Sequence, residues 1–143
     1  MKELTLSLLS LLLAISILFG YSVAVVWGAD WKQVRSTNSA TLYYDTEEIT
    51  HPTKDIVKVL TKWAYTEKGI KNAKEIFGDN YKNLSYSTKS YEINCKDKTS
   101  RILSITDYNK DGTVISSDSK TNAEWSRVSP ESALESLYKM VCK

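Results

Sequence analysis

Two cysteines, Cys95 and Cys142, constrain this chain more than any other feature. They lie too far apart for a C-x-x-C redox motif, and with a single histidine, His51, they do not make up a common four-ligand zinc site without added carboxylates. Their meaning depends on the compartment. The chain opens MKELTLSLLSLLLAISILFG, with Lys2 in a short polar start, an apolar run from about Leu4 to Leu18 and small residues after it, the layout of a secretory signal. Cleavage after Ala24, or as late as Ala29, leaves a single domain over residues 30–143. The competing reading is an uncleaved anchor, because Leu4 to Val26 is long enough to span a bilayer, which takes about 20 apolar residues. Membrane attachment is expected only in that case. In an oxidising compartment a Cys95–Cys142 disulfide is expected to contribute about 4 kcal/mol through the loop it closes, against the alternative of two independent buried thiols.

The segments around the cysteines read as a helix and a sheet. In SPESALESLYKMVC, Ser129 is placed to cap a helix with Pro130 at its first position, and Leu134, Leu137, Tyr138 and Val141 recur at the spacing of one buried helical face. YSTKSYEINC and SRILSITDYN have the alternation, β-branched residues and tyrosines of strands. WKQV, TLYYD and DIVKVLTKWAYT add three more. In the last, Val57, Val59, Trp63 and Tyr65 face one way and Lys58 and Lys62 the other. EKGIKNAKEIFGDN has Ile70, Ala73 and Phe77 at helical spacing and Gly78 as its stop. With TVISSDS as a further strand, the order is β-β-β-α-β-β-β-α. This is an α+β domain built on a meander-like antiparallel sheet.

Composition removes some function classes. At 143 residues, a net charge of +2 is too mild to argue a nucleic-acid binder, which needs a concentrated basic face. DYNKDGTVISSD, Asp107 to Asp118, matches several positions of a twelve-residue calcium loop, but such loops join two helices and usually end on glutamate. Here both flanks read as strands, and Asp111-Gly112 suits a hairpin turn, so a calcium module is the lesser reading and no metal or other cofactor is expected. A periplasmic enzyme is the other alternative. Against it, His51 precedes Pro52 in what reads as a loop, Asp45, Glu47 and Glu48 read as a solvated acidic turn, and no nucleophile, base and orienting group can be named together. Asn83-Leu84-Ser85 fits a glycosylation sequon, a tripeptide too common to carry weight.

Four stretches in order, LYYDTEEI, VKVLTKWAY, LSYSTKSYEINCKDKTSRILSITDYNKDGTVISS and EWSRVSPESALESLYKMVC, resemble the bacterial surface-adhesin protein E family over nearly all of residues 30–143. The most specific part is the cysteine context, YEINC before a hairpin and YKMVC at the end of the last helix. The resemblance implies a twisted antiparallel sheet of about six strands, with the C-terminal helix on its concave face and tied to it through Cys95 and Cys142. It also implies binding of host extracellular-matrix proteins and a homodimer. The signal region has no cysteine to receive a lipid, which favours a protein of the periplasm, the outer surface or the medium.

Binding is thus the expected role. Between Lys54 and Arg101 eleven cationic side chains stand against six anionic ones. The Lys58 and Lys62 face is the candidate surface for a macromolecular or anionic surface ligand. The plainer account is a solubilising face, since lysine discourages sheet-to-sheet association.

Overall fold

Alternating apolar and polar residues put opposite faces of each strand into different surroundings, and here they build one antiparallel sheet. A computed structural model describes residues 28–143 of the chain, so the signal over residues 1–24 and its anchor alternative lie outside the described residues. Strands β1 (Trp31–Ser36), β2 (Ala40–Thr53), β3 (Ile56–Tyr65), β4 (Leu84–Asn94), β5 (Thr99–Asn109) and β6 (Val114–Ser119) lie side by side in chain order. A seventh strand, β7 (Ser126–Arg127), also pairs with β5; two residues are too short to show alternation, and the sequence did not reveal it. Two helices complete the described residues, α1 (Glu67–Phe77) and α2 (Ala133–Val141), with a short 3-10 turn at Asp79–Asn83.

The inner face of the sheet holds the core. Leu42 lies opposite Trp63, Val57 opposite Ile93 and Val59 opposite Tyr91. Leu42, Tyr44, Val59, Tyr91 and Ile93 meet Ala133 and Leu137 of α2. Leu137 is fully buried, a stabilisation of about 2 kcal/mol, and Leu134, Tyr138 and Val141 pack around it as their spacing predicts. Cys95 follows β4, Cys142 caps α2, and the two form a disulfide with Cα atoms 5.5 Å apart. The Tyr138 hydroxyl donates to the Cys95 carbonyl at 2.9 Å, so helix and sheet are tied twice at one place.

Three local expectations need correction. The cap of α2 is Ser132 and not Ser129: its hydroxyl accepts from the Glu135 N–H at 3.0 Å, while the Glu135 carboxylate accepts from the Glu131 N–H at 2.8 Å. Glu131 has φ +59°, so regular helix cannot run through it from Pro130. Next, Asp45, Glu47, Glu48, His51 and Pro52 do not form a turn but lie within the long strand β2. Asp45 is buried, and its carboxylate accepts from the N–H groups of Asp30 at 3.2 Å and Glu47 at 3.0 Å. It braces a register shift between Tyr44 and Ile49, where the ladder leaves backbone donors to be satisfied locally. Finally, α1 buries Gly69 and Ala73, whereas Phe77 is exposed. The face is set by Gly69, whose missing side chain admits the Ser39 carbonyl oxygen, and by Thr66, whose N–H donates to the same oxygen at 3.0 Å.

Candidate functional site

Both helices lie on the inner face, so the outer face of the sheet is covered by neither. Strand periodicity sends Lys58, Leu60 and Lys62 of β3 to that outer face, as the sequence predicts. Lys62 lies opposite Tyr43 of β2 and Thr88 of β4. Its Nζ is 4.6 Å from the centroid of the Tyr86 ring and 5.8 Å from that of Trp31. Tyr86 in turn stacks on Tyr108 of β5, with centroids 4.7 Å apart and planes 16° from parallel. The ammonium is therefore set among aromatic rings whose negative faces attract it, an arrangement worth about 0.5–1 kcal/mol at an exposed site. The result is a cation on a rigid aromatic platform.

Lys58 is exposed and stands opposite Glu92. That carboxylate is already taken: Arg101 Nε donates to it at 2.7 Å, and Arg101 also bridges to it at 2.6 Å. Lys58 accordingly forms no ion pair among the described residues. Four positions along one strand separate it from Lys62, a distance of about 13 Å.

Several other cations of the lysine-rich middle lie away from this patch. Lys68, Lys71 and Lys74 ride on α1, and Lys89 turns to the inner face. Lys98 pairs with Glu135, and its hydrogen bond, with that of the Glu131 N–H, holds the Glu135 carboxyl well below its usual range, at about 2. A positive surplus along the sequence is thus dispersed over several surfaces.

The resemblance of Asp107–Asp118 to a calcium loop resolves into a hairpin, with Gly112 at φ +84° between β5 and β6. Asp111 caps the turn by accepting from the Thr113 N–H at 3.0 Å and hydroxyl at 2.7 Å, bonds that lower its pKa. Asp107 accepts from Ser87 and, at 3.0 Å, from Tyr81 on the inner side. Among the described residues no group of three or more histidine, cysteine, aspartate or glutamate side chains is arranged to hold a metal ion. His51 is exposed on β2. A hollow of about 620 Å³ is open and lies beside the 120–129 segment, lined by Arg101, Lys120, Arg127 and Glu124 among others. Arg101 is occupied there too, its guanidinium 4.6 Å from the Trp125 ring.

Trp31, Tyr43, Tyr86 and Tyr108 were not picked out from the sequence. Each lies on a different strand and becomes a neighbour of Lys62 or of another ring through strand register, so the available signal was only that tyrosines recur in strand after strand.

The family model described as surface-adhesin protein E matches residues 31–143, all seven strands and both helices. No curated protein and no solved structure matches the chain.

Proposed function

The chain belongs to the surface-adhesin protein E family, and from that membership we propose that it is an exported, non-enzymatic binding protein of the cell envelope or surface whose outer sheet face, around Lys58 and Lys62, engages a macromolecular or anionic surface ligand. The observation that carries this reading is the uncovered face itself, where Lys58, without an ion pair among the described residues, lies along β3 from Lys62, and Lys62 sits beside a stacked pair of tyrosines. Aromatic residues beside a cation are the usual anchors of protein interfaces, since they present large rigid area at low entropic cost. Export would follow from the N-terminal signal, with residues 30–143 as the secreted domain, in the periplasm, on the outer surface or in the medium.

The test is capture of the purified protein on immobilised sulfated polysaccharide and on matrix and envelope extracts, over a salt series from about 50 to 300 mM. Lys58→Glu with Lys62→Glu should abolish most of the binding and flatten its salt dependence. Lys71→Glu with Lys74→Glu, the same charge change on α1, should leave binding nearly intact. Equal losses from both pairs would mean that net charge and not this face is responsible, and no loss from the first pair would refute the site. A second copy of the chain is the other partner that the family resemblance implies, and sedimentation of the same variants reads it.

A further inference from the structure

The inner face of the sheet extends beyond the area that α2 covers, and there α1 roofs a cavity of about 220 Å³. At about 30 Å³ per water this is room for roughly seven waters, or a molecule of about as many non-hydrogen atoms. One side is apolar, from Ala73 and Phe77 of the helix and Ile105 of β5. The opposite side carries charge. Lys89 and Asp107 both line the cavity, yet they form no ion pair with each other, and Lys89 makes no hydrogen bond or salt bridge within the described residues. Its Nζ sits 5.0 Å from the Trp63 ring centroid, and burial lowers its pKa against the opposing pull of Asp107.

Asp107 is held differently. Ser87 donates to one carboxylate oxygen and Tyr81 to the other, and Tyr65 lies 3.1 Å from the Ser87 hydroxyl. Ser87 has one proton, which the charged acceptor takes, so Tyr65 donates in turn to Ser87. Burial, first, and the nearby carboxylate keep both tyrosines protonated by raising their pKa values. The chain of hydroxyls fixes Asp107 in place while leaving a lone pair on each oxygen unused.

We propose that this cavity binds a small zwitterion, an amino acid or a similarly short molecule with one carboxylate and one ammonium group. Its carboxylate would meet the unspent donors of Lys89, its ammonium would meet Asp107, and its aliphatic part would lie against Ala73, Phe77 and Ile105. A simple anion would satisfy Lys89 but face Asp107 and, at the rim, Asp118, and a simple cation would satisfy a carboxylate but meet Lys89. A molecule carrying both charges completes both groups at once, which is why a partly buried site of this kind discriminates against either half alone. Phe77 and Asp118 at the rim are exposed, which leaves a way in.

The experiment is a titration of the purified isotope-labelled protein by NMR, with calorimetry, using glycine, L-alanine, L-leucine and γ-aminobutyrate, with acetate and ethylamine as single-charge probes at matched ionic strength. At least one zwitterion should shift the amides of Ser87, Lys89 and Asp107 with one-to-one saturation, and acetate and ethylamine should bind about tenfold more weakly or worse. Lys89→Met and Asp107→Asn should each weaken that binding by about tenfold or more. Should either fail to fold, Tyr81→Phe, at the edge of the site, serves as the variant that retains the core and still loses affinity. Lys58→Glu with Lys62→Glu should leave the titration unchanged. The proposal is overturned if none of the zwitterions perturbs these amides at millimolar concentration, if acetate or ethylamine binds as tightly, or if the folded Lys89 and Asp107 variants bind as the parent does.

Discussion

Replacing both cysteines by serine should destabilise the protein by about 4 kcal/mol, because the disulfide closes a loop across 47 positions, from Cys95 to Cys142, and the open unfolded chain regains the corresponding entropy. The double substitution is chosen so that no reactive thiol is left behind. The native contacts around the bridge survive it: Leu137 stays buried under α2, and the Tyr138 hydroxyl still donates to the carbonyl of residue 95, which belongs to the backbone. The loss therefore reports the cross-link and little else. In a domain of this size about 1 kcal/mol moves Tm by about 4 °C, so circular dichroism melts of the Cys95→Ser/Cys142→Ser protein should fall by about 15 °C. Urea unfolding should show a steeper slope as well, since an unfolded chain without the bridge exposes more surface. A folded double variant that melts within about 4 °C of the parent would refute the reasoning. It would mean that the unfolded chain is already restricted between these positions, or that α2 is held by packing alone. Leu137→Ala with the bridge intact provides the comparison, at a cost of about 3 kcal/mol from the lost burial and the cavity it leaves.

Three further outcomes follow from the same structure. Glu135 has a folded pKa of about 2, first through its hydrogen bond from Lys98, and below the unfolded value near 4.3; its stabilisation is present above that unfolded value and is lost as pH falls through about 2. The stability gap between the parent and Glu135→Gln, measured by urea unfolding, should be full at pH 7 and close toward pH 2, and a gap independent of pH would contradict the assignment. Saturating calcium should leave Tm at its value in an ionic-strength control, since Asp107 turns inward to Ser87 and Tyr81 while Asp111 is taken by Thr113; a one-site calorimetric signal abolished by Asp111→Ala would overturn this. Gly69→Ala should destabilise by about 1–3 kcal/mol despite the better helix propensity of alanine, because the new methyl group meets the Ser39 backbone carbonyl, and a neutral or stabilising result in denaturant unfolding would disprove the close contact.

Local periodicity made much of the architecture legible. Alternation in IVKVLTKWAY separated the Lys58 and Lys62 face from the Val57 and Val59 face, and the i, i+3, i+4, i+7 pattern in ALESLYKMV placed Leu137 and its neighbours on one side of a helix. Asp111-Gly112 announced its hairpin through chemistry confined to two residues. The pairing of Cys95 with Cys142 followed from the expectation of export and the absence of other thiols in the sequence, and the family resemblance supplied the same pair.

What the tertiary structure decided is which residues meet. Periodicity tells which way a strand residue faces but not which partner lies opposite, and register is set by the whole sheet, including its bulges. That is why Lys62 acquired Tyr86 and Trp31 as neighbours, why Glu92 went to Arg101 and left Lys58 without an ion pair among the described residues, and why Lys89 and Asp107 came to face one cavity beneath a helix from elsewhere in the chain. Asp45 shows the same limit at short range: its composition reads as a solvated turn, yet a register shift between Tyr44 and Ile49 left backbone donors in need of an acceptor, and the buried carboxylate fills that need.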